Sequence, residues 1–377
     1  MSITFVFAVS LLNGMGVNAT QVVFSLYALQ LGAGPLTIGL LASSFSLFPM
    51  LLAVTAGRLV DRHGARWPMT FGVVGGGLGV LVTYTLPGLH TLFVAGLLTG
   101  LSVIFINLST QNLVGILSTP ENRARYFANY TLMMTGGQFL GPLVAGFSVE
   151  HLGHDNALLS LVAISAVQFT LLVTRGSKLP GGTRKAGKSA GGIRAMLADP
   201  LVRRMLITGS LLNAGINLYQ VYMPVYAHSI GLAASTIGII LAMNSTAAFV
   251  SRFALPQAIR RFGEQRVLVY AFAVGAVALA LIPTFKIAGL LALISFGFGL
   301  GMGCGQPIVI MLMFSNSKDG RSGEALGLKF TTNQLTKLVS PVVFGSIAAA
   351  LGLFAMFWIN ATLMVIGALM SRPSRKP

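Results

Sequence analysis

Acidic residues are scarce in this chain: 8 aspartates and glutamates stand among 377 residues, against 25 lysines and arginines, and charged residues together make up 9%. With 54% hydrophobic residues beside them, so few charges cannot coat a soluble globule of this length. A soluble fold is excluded, and lipid is the solvent the composition requires. The one cysteine, Cys304, excludes an internal disulfide, and its glycine-rich apolar surroundings mark a small packing residue. Histidine is sparse as well. His151 and His154 form a His-x-x-His pair, but a helical zinc site takes histidines four apart with a general-base acid, and only Asp155 is near. His63, His90 and His228 stand alone, and no serine occupies a nucleophile elbow. Neither a metal nor a cofactor is expected. The amino terminus lacks a basic segment and its apolar run outlasts a cleavable signal, so the first span reads as retained.

What the chain does have is long apolar runs, such as 68–87, 92–106, 267–283 and 351–370. Each is near the ~20 residues that cross a bilayer as helix, and none alternates as a barrel strand would. Backbone at membrane depth must satisfy its own hydrogen bonds, which leaves helix. Twelve spans are predicted: 3–28, 37–57, 68–87, 91–115, 127–149, 156–174, 203–228, 236–256, 266–285, 287–312, 325–350 and 352–370. Residues 29 and 30 then fall in a loop. With the amino terminus inside, 21 of the 25 lysines and arginines lie in inside loops and Lys286 alone lies outside, while Arg252, Lys329 and Lys337 fall within spans. This bias sets both termini in the cytoplasm of a bacterial-type inner membrane. Cations spread over every loop of one side do not form a nucleic-acid groove, so nucleic acid is excluded as a partner.

At an offset of 199 residues the chain repeats itself. Tyr27, Gly32, Thr37-Ile38-Gly39, Arg62 and Gly64 recur as Tyr226, Gly231, Thr236-Ile237-Gly238, Arg261 and Gly263, and Pro142, Gly146 and Gly153 meet Pro341, Gly345 and Gly352. Parallel halves of this kind can rock about a site held between them. The expected domains are a six-helix bundle over 1–174, a basic cytoplasmic linker over 175–200, and a second bundle over 201–377. In the linker, Gly187-Lys188-Ser189 lacks the spacing and the preceding strand of a phosphate loop. The glycine clusters 72–79 and 297–305 read as close helix packing rather than a dinucleotide fingerprint.

Between the second and third spans stands Gly57-Arg-Leu-Val-Asp61-Arg62-His-Gly64-Ala-Arg66, in which Gly57 would let helices approach and Gly64 would permit a tight turn. This resembles the signature loop of the major facilitator superfamily, and the resemblance extends over essentially the whole chain. It implies an all-α integral membrane fold, twelve helices in two pseudo-symmetric six-helix bundles. It also implies a latch in which Asp61 docks near the start of the eleventh helix, around Glu324-Ala325. The second copy departs here, with Arg260 for Asp61 and Pro256 for Gly57, so the latch is assigned to the first half. The alternative is that Asp61 only balances local charge. In the fifth span, Gly137, Gly141, Pro142 and Gly146 are similar to the Gly-Pro motif of the superfamily's antiporters, although the same residues also serve plain packing.

The resemblance makes the first, fourth, seventh and tenth helices the cavity lining. Here they hold Asn13, Asn18, Gln21, Asn107, Gln111, Asn112, Asn213, Asn217, Tyr219, Gln220, Tyr222, Tyr226, Gln306 and Pro307, with no Asp or Glu. Amides and phenols among apolar walls suit a neutral or anionic organic molecule better than a bare metal cation. About half of them are expected to tie helices together instead. Lys337 lies some 12 residues into its span, roughly 18 Å along a helix and too deep for easy snorkelling, as a buried ammonium facing either a substrate anion, a proton path or a carbonyl. Lys329 and Glu324 are placed near the Asp61 latch, and Arg252 at the cytoplasmic end of its helix. The expected protein is a monomeric, non-enzymatic carrier of a small organic solute, an alternating-access exporter linked to protons. The rival readings are an importer or facilitator of an organic anion and, further off, a membrane enzyme or receptor, for which neither a cluster of acids at one face nor an output domain is present.

Overall fold

The computed structural model describes residues 3–119, 122–176, 200–316 and 322–372, without the side chains of 53, 54, 61, 123, 124, 128, 201, 313–316 and 322–327. Helices dominate: α1 Ile3–Gln30, α2 Pro35–His63, α3 Arg66–Thr85, α4 Leu89–Leu117, α7 Pro200–Ser229, α8 Ala234–Phe262, α9 Glu264–Leu281 and α10 Ala288–Asn316. Two longer runs, Arg123–Arg175 and Ser322–Met370, break at Gly153 and Gly352. They resolve into α5 (123–152), α6 (154–175), α11 (322–351) and α12 (353–370). Among the described residues, nine runs are long and apolar enough to span a membrane. α7 is not among them, because Asn213, Asn217 and Gln220 interrupt its apolar face.

The expected spans are each met by a helix, with two corrections. Residues 29 and 30 belong to α1, whose end is set by the left-handed Gly32 (φ 78°). The supposed loop after the second span is largely helix too. α2 runs to His63, the turn is Gly64-Ala65, and Arg66 already opens α3. Gly64 has φ 78° and ψ 175°, a conformation that an L side chain enters at a cost of about 1–3 kcal/mol.

Among the described residues six glycines have φ near 80°, and they form three pairs at the 199-residue offset: Gly32 and Gly231 (78° and 81°), Gly64 and Gly263 (78° and 81°), Gly153 and Gly352 (80° and 86°). The duplication is thus a repeat of turns as well as of letters. By compactness the chain divides into Met1–Gly187 with Gly231–Ala242, and Lys188–Ile230 with Met243–Pro377. The beginning of α8 therefore groups with the first unit. Of the proposed linker, residues 177–199 lie outside the described ones.

In the first unit α1 packs along the α5–α6 pair, and an apolar cluster joins Val6, Val9, Met69, Ile106, Leu113 and Leu172. Large side chains such as Phe71, Phe253, Leu293 and Leu351 point out of the protein, an apolar exterior that lipid covers. Helix hydroxyls bond back to their own carbonyls, as Ser10 Oγ does to Val6 O at 2.7 Å and Thr208 Oγ1 to Arg204 O at 2.8 Å. These hydroxyls then need no water.

Candidate substrate-binding and gating residues

The glycines of α5 are packing devices. A Cβ on Gly137 would stand 2.6 Å from Met15 N and 2.7 Å from Gly14 C and Cα, and one on Gly141 would stand 2.8 Å from Asn18 Cβ and Met15 O. Two turns on, a Cβ at Gly146 would strike the Ala234 carbonyl, and one at Gly238 would strike that of Pro142. Within the first unit, then, α5 lies backbone against backbone on α1 along one edge and on the start of α8 along another. Glu150 completes the second seam by accepting a 2.9 Å hydrogen bond from Ser235 N, in the first turn of α8. An acid is well placed there, where a helix presents unpaired N–H groups.

The glycine clusters behave likewise. Gly72, Gly76 and Gly79 of α3 meet α4, while Gly299 and Gly303 meet α8, Gly301 meets α9 and Gly305 meets α7. Gly75 and Gly297 of these clusters, and Gly57 of the motif between α2 and α3, differ: a Cβ there would meet nothing within 4 Å, so they make no close helix approach. In the same motif Arg62 and Arg66 are exposed, with Arg66 over the Trp67 ring at 5.9 Å. The side chain of Asp61 and those around Glu324 lie outside the described residues.

The amides and phenols expected to line a cavity divide into two groups. Asn13, Asn213, Tyr219, Tyr222 and Tyr226 are buried. Asn13 Nδ2 donates to Asn107 Oδ1 at 3.0 Å and ties α1 to α4, and Asn213 Nδ2 donates to Asn333 O at 3.1 Å and ties α7 to α11. Tyr222 donates to Pro341 O at 2.6 Å, Tyr226 to Phe285 O at 3.0 Å, and Tyr219 stacks on Phe298 at 4.7 Å. These residues bind helices to each other. Asn18, Gln21, Asn107, Asn112, Asn217, Gln220 and Gln306 are half-covered and Gln111 is exposed; Asn18 Nδ2 donates to Gly14 O at 2.8 Å and Asn217 Nδ2 to Ser340 Oγ at 3.4 Å. Asn18 and Asn217, and likewise Gln21 and Gln220, are partners across the repeat.

Lys337 lies midway along α11, 15 residues from its start and 14 from its end, where it is deep among protein atoms while keeping accessible surface, and it makes no hydrogen bond among the described residues. Lys329 keeps little accessible surface, 7%, and its Nζ donates to Gln306 Oε1 at 3.2 Å. Cys304 donates weakly to Ser251 O at 3.8 Å, as a packed thiol. His154 stacks on Tyr27 and His151 on Phe147, and no group of ligating side chains that could hold a metal occurs among the described residues.

Sequence inspection missed the Glu150–Ser235 contact and the burial of Lys329. A signal existed for the first, since Glu150 stands in the last turn before the Gly153 break.

A duplicated, lipid-facing set of helices with amides held inside apolar walls defines a membrane carrier. The chain belongs to the Major Facilitator Superfamily, which it matches over residues 6–341. It is an integral membrane transporter and not an enzyme. It is 23% identical to the Staphylopine export protein of Staphylococcus aureus, over 92% of this chain and 90% of that one. It is also 23% identical to Multidrug resistance protein MdtG of Klebsiella pneumoniae, over 97% and 92%. Its fold is similar to crystal structures of a POT family transporter in complex with 5-aminolevulinic acid (TM-score 0.82, 12% identity, 97% of this chain and 94% of that one) and of a variant of the nucleoside transporter NupG (TM-score 0.81, 14%, 98% and 99%).

Proposed function

We propose that this transporter is a secondary active exporter, carrying a small organic solute out of the cytoplasm by alternating access at the expense of a proton gradient. It acts as a monomer in the inner membrane, with both termini in the cytoplasm. The observation that carries the reading is the glycine stack of α5, in which Gly137, Gly141, Pro142 and Gly146 sit at backbone contact distance from two other helices. The same four residues resemble the Gly-Pro motif of the superfamily's antiporters, with Ala128 and Ala145 standing where glycines are usual. Export and multidrug resistance in the names of two end-to-end relatives point the same way.

Substrate contacts are assigned to the half-covered amides, from Asn18 and Gln21 on α1 to Asn217 and Gln220 on α7 and Gln306 on α10. Asp61 is the inner latch and also a candidate proton carrier, as no acid occurs among the cavity residues. The test is flux in proteoliposomes under imposed proton gradients of either direction. Solute movement against its own gradient, driven by protons moving the opposite way, supports the exporter. Co-movement of solute and protons would replace it with the second reading, an organic-anion importer, which the cations of α11 favour.

A further inference from the structure

The duplication sets two different residues at one structural position. The residue 199 before Lys329 is Tyr130. Both are buried, 7% exposed for the lysine and 8% for the tyrosine, and each meets an amide of the preceding helix. Gln111 Nε2 donates to the Tyr130 hydroxyl at 3.5 Å, and Lys329 Nζ donates to Gln306 Oε1 at 3.2 Å. The fold therefore calls for a polar bridge between these helices, and the first copy makes it without charge.

In the second copy the bridge runs to a different amide position, since Gln306 is the counterpart of Asn107 and Ile310 that of Gln111, and it carries a full positive charge at a real cost. The effective penalty for taking an ion out of water is several kcal/mol, and one neutral acceptor does not offset it. No carboxylate pairs with Lys329 among the described residues, and its ammonium has three protons of which Gln306 takes one. A second cation lies nearby. The backbone of Ala248 and the side chain of Ser251 on α8 meet Gly303 of α10, so Arg252 and Gln306 stand within about one helical turn of the same level. This level is some ten residues from the carboxyl ends of α8 and α10, the ends that the loop charges place toward the cytoplasm.

We propose that Lys329, positioned by Gln306, is the anion-recognition point of this carrier, and that the transported solute bears a carboxylate or phosphate group. The proposal rests on the transport reading above and names its substrate class. An organic anion arriving from the cytoplasmic side would complete the two open hydrogen bonds of the ammonium and neutralise it. The packing of the second unit needs only what the tyrosine of the first supplies.

The test uses the full chain in lipid nanodiscs, with thermal unfolding measured at constant ionic strength. The probes are succinate, benzoate and glycerol 3-phosphate, each against its neutral counterpart succinamide, benzamide or glycerol. Wild type should be stabilised by at least one acid and not by its counterpart, and Lys329→Arg should keep that response. Lys329→Tyr, which sets the first-copy residue beside Gln306, should fold with an unliganded melting temperature no lower than wild type. It should weaken the dissociation constant for the acid about 10- to 100-fold, as the loss of a charged hydrogen bond does. Acids indistinguishable from their counterparts, an acid response retained by Lys329→Tyr, or a large drop in its unliganded melting temperature would each overturn the proposal. Binding in a nanodisc needs no gradient, so failed flux in proteoliposomes would strike the transport reading and leave this result standing.

Discussion

Replacing Gly137 by alanine adds one methyl group where α1 and α5 touch through their backbones. The new carbon would lie 2.6 Å from Met15 N and 2.7 Å from two backbone atoms of Gly14. Backbone cannot swing aside as a side-chain tip can, so the helices must part by roughly 1 Å to restore van der Waals separation. That movement also loosens the neighbouring contact, where Gly141 approaches Asn18 and Met15. Overpacking of this kind costs about 1–3 kcal/mol. At about 2–4 °C per kcal/mol for domains of this size, the apparent melting temperature should fall by several degrees. Gly75→Ala is the matched control: it lies in α3 with nothing within 4 Å of the added carbon, and helix propensity alone should stabilise by about 0.5–1 kcal/mol. Both variants would be unfolded side by side in the same detergent, with flux measured in liposomes. Equal melting temperatures for the two would refute the claim that backbone contact holds α1 to α5.

Gly153→Ala and Gly352→Ala face open space but must keep φ of 80° and 86° with ψ of 169° and 164°, so each should lose about 1–3 kcal/mol, and by similar amounts; unchanged melting would show that those turns tolerate a side chain. Tyr222→Phe removes a buried 2.6 Å hydrogen bond to Pro341 O and should lower stability by about 1 kcal/mol while leaving solute affinity intact; a large affinity loss would move Tyr222 from helix tie to binding residue. Asp61→Asn should slow turnover more than it weakens solute affinity, as measured by initial flux rates over a range of solute concentrations, and a pure loss of affinity would contradict the latch.

Much of this molecule was legible from its letters because membrane helices are governed by few rules. Apolar length was enough to find the spans, and loop cations supply their expected orientation. Glycine at 64 and 153 marked true turns, yet the same residue at 57 has no close neighbour, since a glycine in sequence does not say whether another helix comes near. The ends of α1 and α2 ran longer than their apolar runs suggested: polar Gln30 and charged Arg62 extend helices that have already left the hydrocarbon. Among the polar residues, composition could not separate Tyr222, spent on a backbone carbonyl, from Asn217, left half-covered. Rotation about the helix axis makes that division, and one residue is 100° of turn. For the two lysines of α11, depth along the helix was readable and the face each presents was not, so the near-complete covering of Lys329 went unseen.

The paired left-handed bends have kept their torsions to within a few degrees while the side chains between them drifted apart. They work as index marks along a folded tape, and counting from them gives every residue of one copy a sister in the other. Where sisters agree, as at 18 and 217, the ancestral half-length chain can be reconstructed directly. Where one sister is charged and the other is not, as at 329 and 130, or where the sign reverses, as between 61 and 260, one copy has taken up work that the other never shared.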